Sequence, residues 1–408
     1  MVREVRTTVA IIGAGPAGLT LANLLQQRGT DCVVLDKFSR KQILERARAG
    51  LLENRTVELL DRLGLSARLH AEAAVHHGCE FRVDGESFFA DYSKMYDGKP
   101  HFVYPQQEVV ADLLDGFESS GGTVYYETQA AKVLQVADQP RVECTDGTVV
   151  HADFVAGADG QYGAARASMP WDDIDEYVMQ HEFRWLTLLA EAPPSSDCTV
   201  YAQHPNGFAG HLLRSSTVTR FHLQVPFDDT VDDWPDERIW SELRTRLAKP
   251  GWTLNEGPIF SKNMLEMQSK VCEPMQHGRL FLLGDAAHII TPSGGKGMNL
   301  AMADAAELDL ALARFAASGD EKDLAAYSAH RVPDIWKAQE FSHALLHMLH
   351  TYEPGSPDAA FRQKLQRSRL WQLRHSAAYA RNFAESYIGP PLGWPYSVDA
   401  YAKAPATP

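Results

Sequence analysis

The sequence predicts a mixed α+β and α/β fold, in which a parallel-sheet domain is interleaved with an antiparallel-sheet domain and followed by a helical C-terminal part. Three observations predict it. Residues 7–36 hold an apolar run, a glycine-rich turn, a helical segment and a second apolar run. Short β-rich stretches separated by Pro, Gly, Asp and Ser turns fill residues 180–270, and long helical patterns begin near residue 296. With 408 residues, 45% of them hydrophobic, the chain is long enough for two or three interleaved domains.

The net charge limits the kinds of partner that the chain is expected to bind. A formal net charge of -14 argues against a general attraction to nucleic acid or to an anionic membrane surface. No run of about 18 apolar residues occurs, and the first residues lead directly into a predicted strand, so we expect a soluble, cytoplasmic protein. Any site for an anionic ligand must therefore concentrate positive charge locally.

The cysteines indicate neither a metal site nor a disulfide framework. They are five in number and widely scattered, with no closely spaced pair and no zinc-like spacing. We therefore expect reduced thiols and no bound metal. The residues are Cys32, Cys79, Cys144, Cys198 and Cys272.

The first βαβ unit has the pattern of a Rossmann-like dinucleotide site, GxGxxG. Gly13 and Gly15 permit a tight turn and close approach of the backbone to a pyrophosphate, and Gly18 lets the helix pack on the strand. Asp36 ends the second strand, where a carboxylate can accept hydrogen bonds from a ribose. A plain turn before a helix would not require that acid, so the stretch favours an adenine dinucleotide.

The central antiparallel segment places two arginines near each other. In the stretch RFHLQV the side chains alternate, so that Arg220 and His222 share one face of the strand with Gln224. Leu212 and Arg214 share a face of the preceding strand. Two arginines on neighbouring strands can bind a carboxylate in an apolar pocket. The alternative, two solvated surface arginines, stays open at this point.

A glycine-rich loop connects a late strand to a long helix. The strand of LFLLGD ends at Asp285, suited to a chain of hydroxyl groups, and the loop SGGKG leads into a helix closed by the turn at Ser318 and Gly319. The positive end of that helix can approach a flat, electron-rich ring, which favours a flavin over a nicotinamide. A third strand ends at Asp159. Each motif alone could be a strand-ending turn, but the three in this order favour a flavin site.

With these motifs, the chain resembles the single-component flavin-dependent aromatic hydroxylases, whose GxGxxG, DG and GD motifs it carries in order. It is most similar to the members of that family that act on 4-hydroxybenzoate, over about residues 7–392. The resemblance implies an FAD domain, a β-sheet substrate domain and a helical C-terminal part, in a homodimer that uses NADPH or NADH and O2. The stretches that carry it are RARAGLLE, VYPQQEV, VYAQHPNGFA, LQVP, DDWPDERIWSELRTRL, EPMQHGRLFLLGDAAHIITPSGGKGMNLA, IWKAQEFS and AESYIGPP.

The resemblance also implies domain boundaries. The FAD-binding domain has three parts, the substrate domain two, and a helical dimer region and a tail follow. The ranges are 1–75, 106–180 and 269–345 for the FAD-binding domain, 76–105 and 181–268 for the substrate domain, 346–395 for the helical region and 396–408 for the tail.

The catalytic residues implied by the resemblance form a proton chain. Tyr201 matches the tyrosine that binds the substrate phenol, Tyr387 its partner, and His76 the solvent-side end. Pro292 lies in the loop whose carbonyl faces the phenol. A phenol that loses its proton there is far more electron-rich and is hydroxylated more readily. Deprotonation is therefore the expected control point.

Further residues match binding positions of the family. Arg214 matches the residue that pairs with the substrate carboxylate, and Arg220 one near the flavin. The remaining positions around FAD comprise the glycine motif and residues of later segments. They are Gly13, Gly15, Gly18, Asp36, Arg46, Arg48, Gln106, Asp159, Asp285, Lys296, Gly297, Met298 and Asn299.

Two departures from the family bear on the substrate. Leu212 and His222 stand where the family has a serine and a tyrosine that help Arg214 to hold the carboxylate. Losing a hydrogen bond to a charged group costs about 1.5 to 3 kcal/mol, part of which a protonated His222 would recover. The expected reaction is hydroxylation of a para-hydroxybenzoate-type acid ortho to its phenol. An amino-substituted substrate such as 3-amino-4-hydroxybenzoate, in a biosynthetic pathway, is the alternative.

Other departures bear on the nicotinamide. Residues 37–42, KFSRKQ, occupy the segment where the family's NADPH users contact the adenosine phosphate, and Gln268 and Tyr162 replace an arginine and a histidine. The basic run could still bind a 2′-phosphate, so that NADH and NADPH both remain open.

Two other classes fit less well. A flavin disulfide reductase needs a closely spaced cysteine pair near the flavin, which this sequence lacks. A ligand sensor that only binds flavin has no use for the proton chain of Tyr201, Tyr387 and His76.

Overall fold

The computed structural model of the chain describes residues 3–46, 50–351 and 357–389. Within them the strands, in chain order, are β1 Glu4–Ile12, β2 Cys32–Leu35, β3 Leu51–Leu52, β4 Ala74–His76, β5 Cys79–Val83, β6 Glu86–Ala90, β7 His101–Val103, β8 Thr123–Tyr125, β9 Ala130–Leu134, β10 Arg141–Cys144, β11 Val149–Gly157, β12 Asp175–Ala190, β13 Thr199–Gln203, β14 Ala209–Leu213, β15 Thr219–Pro226, β16 Ile259–Glu273, β17 Gln276–His277, β18 Leu280–Leu282 and β19 His288–Ile289. The α-helices are α1 Pro16–Gln27, α2 Arg40–Leu44, α3 Asn54–Leu63, α4 Ala67–Glu72, α5 Tyr92–Met95, α6 Gln106–Ser119, α7 Ala164–Ala167, α8 Asp236–Arg246, α9 Gly297–Ser318, α10 Lys322–Ala325, α11 Tyr327–Leu349, α12 Ala359–His375 and α13 Ala377–Ile388.

The first sheet is the expected Rossmann-like unit. Its parallel strands run in the order β8, β2, β1, β11 and β18, and β17 adds an antiparallel edge. A β9–β10 hairpin pairs with the start of β11. Buried apolar residues of α1, α6 and α9 pack with these strands into one core. The carboxyl ends of β1, β2, β11 and β18 meet at one edge, where an α/β sheet binds its ligand.

The second sheet is largely antiparallel, in the order β19, β16, β12, β15, β14, β13, β5 and β6, with β13 and β5 parallel. A small third sheet joins β3, β7 and β4. Strands β12 and β16 extend across residues 180 and 268, which were predicted as domain boundaries. The domain division remains a prediction.

The alternation predicted for β15 separates two cores. Phe221, Leu223 and Val225 pack with residues of α8 on one face of the sheet. Arg220 and His222 lie on the opposite face, because successive strand residues point to opposite sides. That opposite face carries the substrate-site candidates.

The C-terminal helices cover the polar face of the second sheet. Phe341 of α11 and Phe383 and Tyr387 of α13 share a core with Trp185 and Tyr201 of the sheet. The predicted tail, 396–408, lies outside the described residues. All five cysteines are free, and none of the described helices is long and apolar enough to span a membrane.

Two glycines of the first turn are required by the fold itself. Gly13 has a φ of 110°, and a Cβ on it would lie 2.3 Å from the Ala158 carbonyl oxygen. A Cβ on Gly18 would lie 2.0 Å from the Gly13 carbonyl oxygen. Gly15 has ordinary extended backbone, and a Cβ there would meet nothing within 4 Å. The protein chain therefore does not explain Gly15, whereas a pyrophosphate in front of α1 does.

This difference predicts separate effects for two alanine substitutions. Gly18→Ala forces α1 away from β1 and lowers the unfolding free energy of the apoprotein by about 2 kcal/mol. Gly15→Ala leaves that free energy unchanged but weakens binding of FAD about 10- to 100-fold, the equivalent of one charge-assisted hydrogen bond. Urea denaturation of the apoproteins and quenching of flavin fluorescence measure the two effects. Equal FAD affinity in Gly15→Ala and the wild type would contradict the assignment.

Candidate active site

The turn after β1 and the acid after β2 lie together, as the predicted dinucleotide site requires. The Asp36 carboxylate accepts hydrogen bonds from the Ala14 N–H at 2.7 Å and the Phe38 N–H at 2.8 Å. These bonds fix it beside the N-terminus of α1, and each carboxylate oxygen keeps a lone pair for a ribose hydroxyl. No side chain caps α1, so its first N–H groups face the space in front of Gly15.

Asp159, beyond the end of β11, is a buried acid with an unused oxygen. Its Oδ2 accepts a hydrogen bond from the Ala165 N–H at 3.0 Å, whereas Oδ1 has no partner among the described residues. Burial raises the pKa of Asp159 to about 6, although the backbone N–H of Ala165 and its neighbours lower it. An acid left in this state beside the Gly13 turn is suited to the polar groups of a bound dinucleotide.

The glycine-rich loop before α9 is shaped by close packing. A Cβ on Gly294 would lie 2.8 Å from the Phe341 ring, and Gly295 has a φ of 65° with Leu51 in the way of a Cβ. Asn299 fixes the start of α9, since its Oδ1 accepts from the Glu53 N–H at 2.9 Å and its Nδ2 donates to the Leu51 carbonyl at 2.8 Å. No side chain caps α9, so its positive end remains available to a flavin ring.

Lys296, at the N-terminus of α9, belongs to a buried chain of charges. Its ammonium donates to Glu53 Oε1 at 2.8 Å and to the Tyr387 carbonyl. Arg55 pairs with Glu53 at 2.8 Å and with Asp334 at 3.4 Å. Burial raises the pKa of Glu53, but Lys296 and Arg55 lower it by more. The net pKa is below its usual value, so the carboxylate is charged.

The chain of charges continues to the GD motif. Arg331, itself buried, pairs with Asp334 at 3.0 Å and with Asp304 of α9 at 2.8 Å. Asp304 Oδ2 also accepts from the Gly284 N–H at 2.9 Å and lies 2.7 Å from His288 Nε2. Asp304 of α9 thereby joins Arg331 of α11 to Gly284 of the GD motif.

The remaining candidate cofactor residues that the structure describes lie on the surface or at the start of a helix. Asp285 and Arg46 are exposed, and the Arg46 guanidinium lies 4.6 Å from the centre of the Phe38 ring. Gln106 begins α6, and Gly297 and Met298 begin α9. Arg48 lies outside the described residues. The roles of these residues stay predictions.

The two tyrosines of the predicted proton chain meet in the structure. The hydroxyls of Tyr201 and Tyr387 lie 3.0 Å apart, and the Tyr201 hydroxyl donates to the Ser293 carbonyl at 3.4 Å. Pro292, the residue before, begins the same turn and is exposed. Burial raises the pKa of both tyrosines, so both hydroxyls keep their protons at neutral pH. His76 is buried in β4, and its Nε2 has no partner among the described residues.

Positive charge collects at the other end of this face. Burial and then Arg214 lower the pKa of Arg220 to about 10, and its Nε has no partner among the described residues. Arg214 donates to Gln107 Oε1 at 2.9 Å. Arg220 is therefore not the solvated surface arginine left open above, but a buried cation that a ligand carboxylate would stabilise.

His222 is neutral rather than charged. Burial and then Arg220 lower its pKa to about 3, and its Nδ1 lies 3.0 Å from the Thr187 hydroxyl. In the ligand-free site, burial and Arg220 therefore oppose the protonated His222 that was considered above as a partner for the carboxylate. Leu212, paired in register with Arg220, adds an apolar wall.

The fold brings to the site four further residues that are not among the candidates above. Thr187 contacts His222, and Glu53 holds Lys296. His101 and Tyr92 pack against Tyr387. Glu53 had a detectable signal, an acid between a strand and a helix in the quoted stretch RARAGLLE. The other three carry no local signal.

Comparison with known proteins agrees with this architecture. A family model described as FAD binding domain matches residues 6–342. The p-hydroxybenzoate hydroxylase of Acinetobacter baylyi is 38% identical over 393 residues, which cover 95% of this chain and 96% of that protein. The rifampicin monooxygenase of Rhodococcus hoagii is 27% identical over 319 residues, 75% of this chain and 63% of that protein.

A solved structure supports the fold. The crystal structure of p-nitrophenol 4-monooxygenase from Pseudomonas putida DLL-E4 superposes with a TM-score of 0.81 at 19% identity, over 95% of this chain and 100% of that chain. The extent of the family match and the 38% identity to a full-length relative confirm the resemblance and FAD as the cofactor. The chain therefore belongs to the FAD-binding domain family and is a flavin-dependent aromatic monooxygenase, a single-component hydroxylase similar to p-hydroxybenzoate hydroxylase.

Proposed function

We propose that this enzyme converts 4-hydroxybenzoate to 3,4-dihydroxybenzoate with NAD(P)H and O2. The observation that carries the proposal is that one face of the second sheet has a different polar group at each end. At one end two buried tyrosine hydroxyls lie 3.0 Å apart, and at the other a buried arginine lacks a partner for its Nε among the described residues. A para-hydroxylated benzoate has a phenol and a carboxylate at opposite ends of its ring. The homodimer implied by the resemblance stays a prediction.

The strand register gives this face its dimensions. Tyr201 pairs with Gly210 and Gly210 with His222, and Leu212 pairs with Arg220 in the next row. Strands lie about 4.8 Å apart, so Tyr201 and His222 are separated by about 10 Å of sheet. The Phe208 ring and the Leu212 side chain lie 3.1 and 3.3 Å from the position that a Cβ on Gly210 would take, so apolar side chains cover the sheet between the two polar ends. A separation of about 10 Å along the sheet suits a ring with one polar group at each end.

The side chains of this face control the proton of the substrate. Bound FAD, once reduced by NAD(P)H, supplies the activated oxygen. Tyr201, protonated and held between Tyr387 and the Ser293 carbonyl, can receive a hydrogen bond from the substrate phenol while passing its own proton to Tyr387. Arg220 and Arg214 bind the carboxylate and orient the ring. Burial excludes water, so the phenol ionises only through the tyrosine pair.

A second candidate substrate is an amino-substituted hydroxybenzoate such as 3-amino-4-hydroxybenzoate. The observation that favours it is the neutral His222, whose Nδ1 contacts the Thr187 hydroxyl at 3.0 Å. Its other nitrogen can bind a further polar group on the ring. This candidate predicts less peroxide release with the amino compound than with 4-hydroxybenzoate, measured side by side on the wild-type enzyme.

Replacing Tyr201 by Phe tests the proposed role of the tyrosine pair. Tyr201→Phe binds FAD normally but hydroxylates 4-hydroxybenzoate about 100-fold more slowly, because the phenol loses its proton acceptor. NAD(P)H oxidation then yields hydrogen peroxide in place of product, which product chromatography and a peroxide assay quantify. Tyr327→Phe is the control, since that buried hydroxyl donates to the Leu282 carbonyl at 3.0 Å in the core of the first sheet. Full coupling in Tyr201→Phe would exclude this mechanism.

The segment after β2 predicts a preference for NADH. The Arg40 guanidinium is paired with Asp115 and, at 3.2 Å, with Glu118. The Ser39 hydroxyl and the Gln42 side chain cap α2 reciprocally. These contacts occupy groups that would otherwise bind a 2′-phosphate.

The double variant Asp115→Asn with Glu118→Gln tests this preference. Releasing Arg40 lowers the KM for NADPH about fivefold, the range of an exposed ion pair, and leaves the KM for NADH unchanged. Glu45→Gln is the matched control, because Glu45 pairs with Lys41 at 3.7 Å in the same segment. A wild-type enzyme that already prefers NADPH would contradict the prediction.

A further inference from the structure

Helix α11 carries two histidines that contact each other near the protein surface. His343 and His347 are four residues apart, so their side chains lie on one face of the helix, a turn apart. Their Nε2 atoms are 2.7 Å apart, and their ring centroids are 4.1 Å apart. Both residues are only half-buried, so water and small ions can reach them. Two imidazole nitrogens are thus held close to one point.

Both histidines are neutral at neutral pH. Burial lowers the pKa of His347 to about 4, and His343 and Arg369 lower it too. Burial also lowers the pKa of His343, which Glu340 opposes and Arg369 supports. A neutral imidazole has one nitrogen with an available lone pair, and it is this form that binds a metal ion. The two rings therefore need to lose no charge before they act as ligands.

A third imidazole, that of His181 in β12, lies beside this pair. Its ring centroid is 5.7 Å from that of His343, and its Nε2 is buried with no partner within the described part of the chain. The pairing of β12 with β16 is interrupted between Gln180 and Arg184, and irregularities of this kind redirect side chains. Burial lowers the pKa of His181 to about 4, so it is neutral. Its Nε2 is therefore suited to a hydrogen bond with a bound water.

The separation of the paired nitrogens is close to the one that a single metal ion requires. With Zn–N bonds of about 2.0 to 2.1 Å in tetrahedral geometry, two ligating nitrogens lie about 3.3 Å apart. A small rotation of either side chain widens the observed 2.7 Å to that distance. Among the described residues no group of three or more His, Cys, Asp or Glu side chains could hold a metal ion. Water must therefore supply the other ligands of an ion bound by this pair.

The charges around the pair favour a moderate affinity. Glu340 lies near the pair and favours a bound cation, whereas Arg369 and Arg362 on α12 oppose it. Arg362 is paired with Asp358 at 2.5 Å, which reduces its effect. We therefore expect a micromolar rather than a nanomolar dissociation constant.

We propose that His343 and His347 together bind one divalent transition-metal ion of the Zn2+ type, and that His181 accepts a hydrogen bond from a water on that ion. The ion takes the place of the proton held between the two Nε2 atoms, and the ring that carried this proton takes one from water at Nδ1. The bound ion and its water join α11 to β12. The inference goes beyond the proposed function and does not depend on the substrate.

Titration of the FAD-loaded, untagged full chain with ZnCl2 tests the proposal. In a buffer that does not chelate metals, isothermal titration calorimetry should detect one tightly bound Zn2+ per chain at neutral pH. His343→Asn and His347→Asn should each weaken this binding at least about tenfold, because the chelate needs both rings. His181→Asn should weaken it about tenfold, the effect of losing a hydrogen-bond partner of the ligand shell. His375→Asn is the matched control, since this exposed histidine of α12 has no histidine four residues away.

Two measurements on the wild type do not depend on the variants. Cu2+, which a nitrogen site binds more tightly than Zn2+, should give an electron paramagnetic resonance spectrum with hyperfine splitting from two imidazole nitrogens. Zn2+ at about 100 times its dissociation constant should raise the melting temperature by about 3 °C, because the pair exists only in the folded chain.

Three results would each overturn the inference. They are no binding of Zn2+ below about 1 mM, equal Zn2+ affinity in the wild type and His343→Asn, or a Cu2+ spectrum without two nitrogen ligands. Equal affinity in the wild type and His181→Asn would overturn the part assigned to His181. The flavin absorbance of each variant shows that it is folded. None of these measurements uses turnover, so a failure of the proposed function leaves them unchanged.

Discussion

The buried ion pair between Lys296 and Glu53 is the interaction on which the rest of the site depends. A charge taken out of water is tolerated only with a partner of opposite sign and further hydrogen bonds. Lys296 meets this requirement with Glu53 and the Tyr387 carbonyl, and Glu53 in turn with Arg55. These contacts join the start of α9, the end of β3 and the last turn of α13. The N-terminus of α9, where the flavin is predicted to bind, and the tyrosine that contacts Tyr201 are therefore fixed by one cluster.

Burial shifts the pKa values of the tyrosines and of the histidines in this region in opposite directions. It raises the pKa of Tyr201 and Tyr387, which keeps both as hydrogen-bond donors, and it lowers the pKa of His101 and His76, which keeps both uncharged. Neutral hydroxyls and imidazoles can lie in a medium of low dielectric constant without the desolvation cost that the buried charges of Lys296 and Glu53 offset by pairing.

Much of the fold and part of the site could be predicted from local patterns. The glycines of the first turn and Asp36 act within a few residues of one another in the βαβ unit, and the alternation around Arg220 depends only on the period of a strand. The charge state of His222 could not be predicted in this way, because it depends on burial and on Arg220 rather than on its sequence neighbours. The same holds for Arg40. Its basic segment is compatible with a phosphate site by sequence, but in the fold Arg40 pairs with Asp115 and Glu118 of α6.

The sequence by itself determined the order of the elements, the dinucleotide turn and the candidate tyrosines, since these follow from residue type and short-range period or from resemblance to a family. Only the tertiary structure decided which distant groups meet. Lys296 and Glu53 are 243 positions apart, and Tyr201 and Tyr387 are 186 apart. His101 carries no local signal, and its place opposite His76 arises only from the register of β4 against β7. The physical reason is that periodicity records which side of an element is buried, whereas a proton path or an ion pair depends on atoms a few ångströms apart that the chain brings together only when it folds.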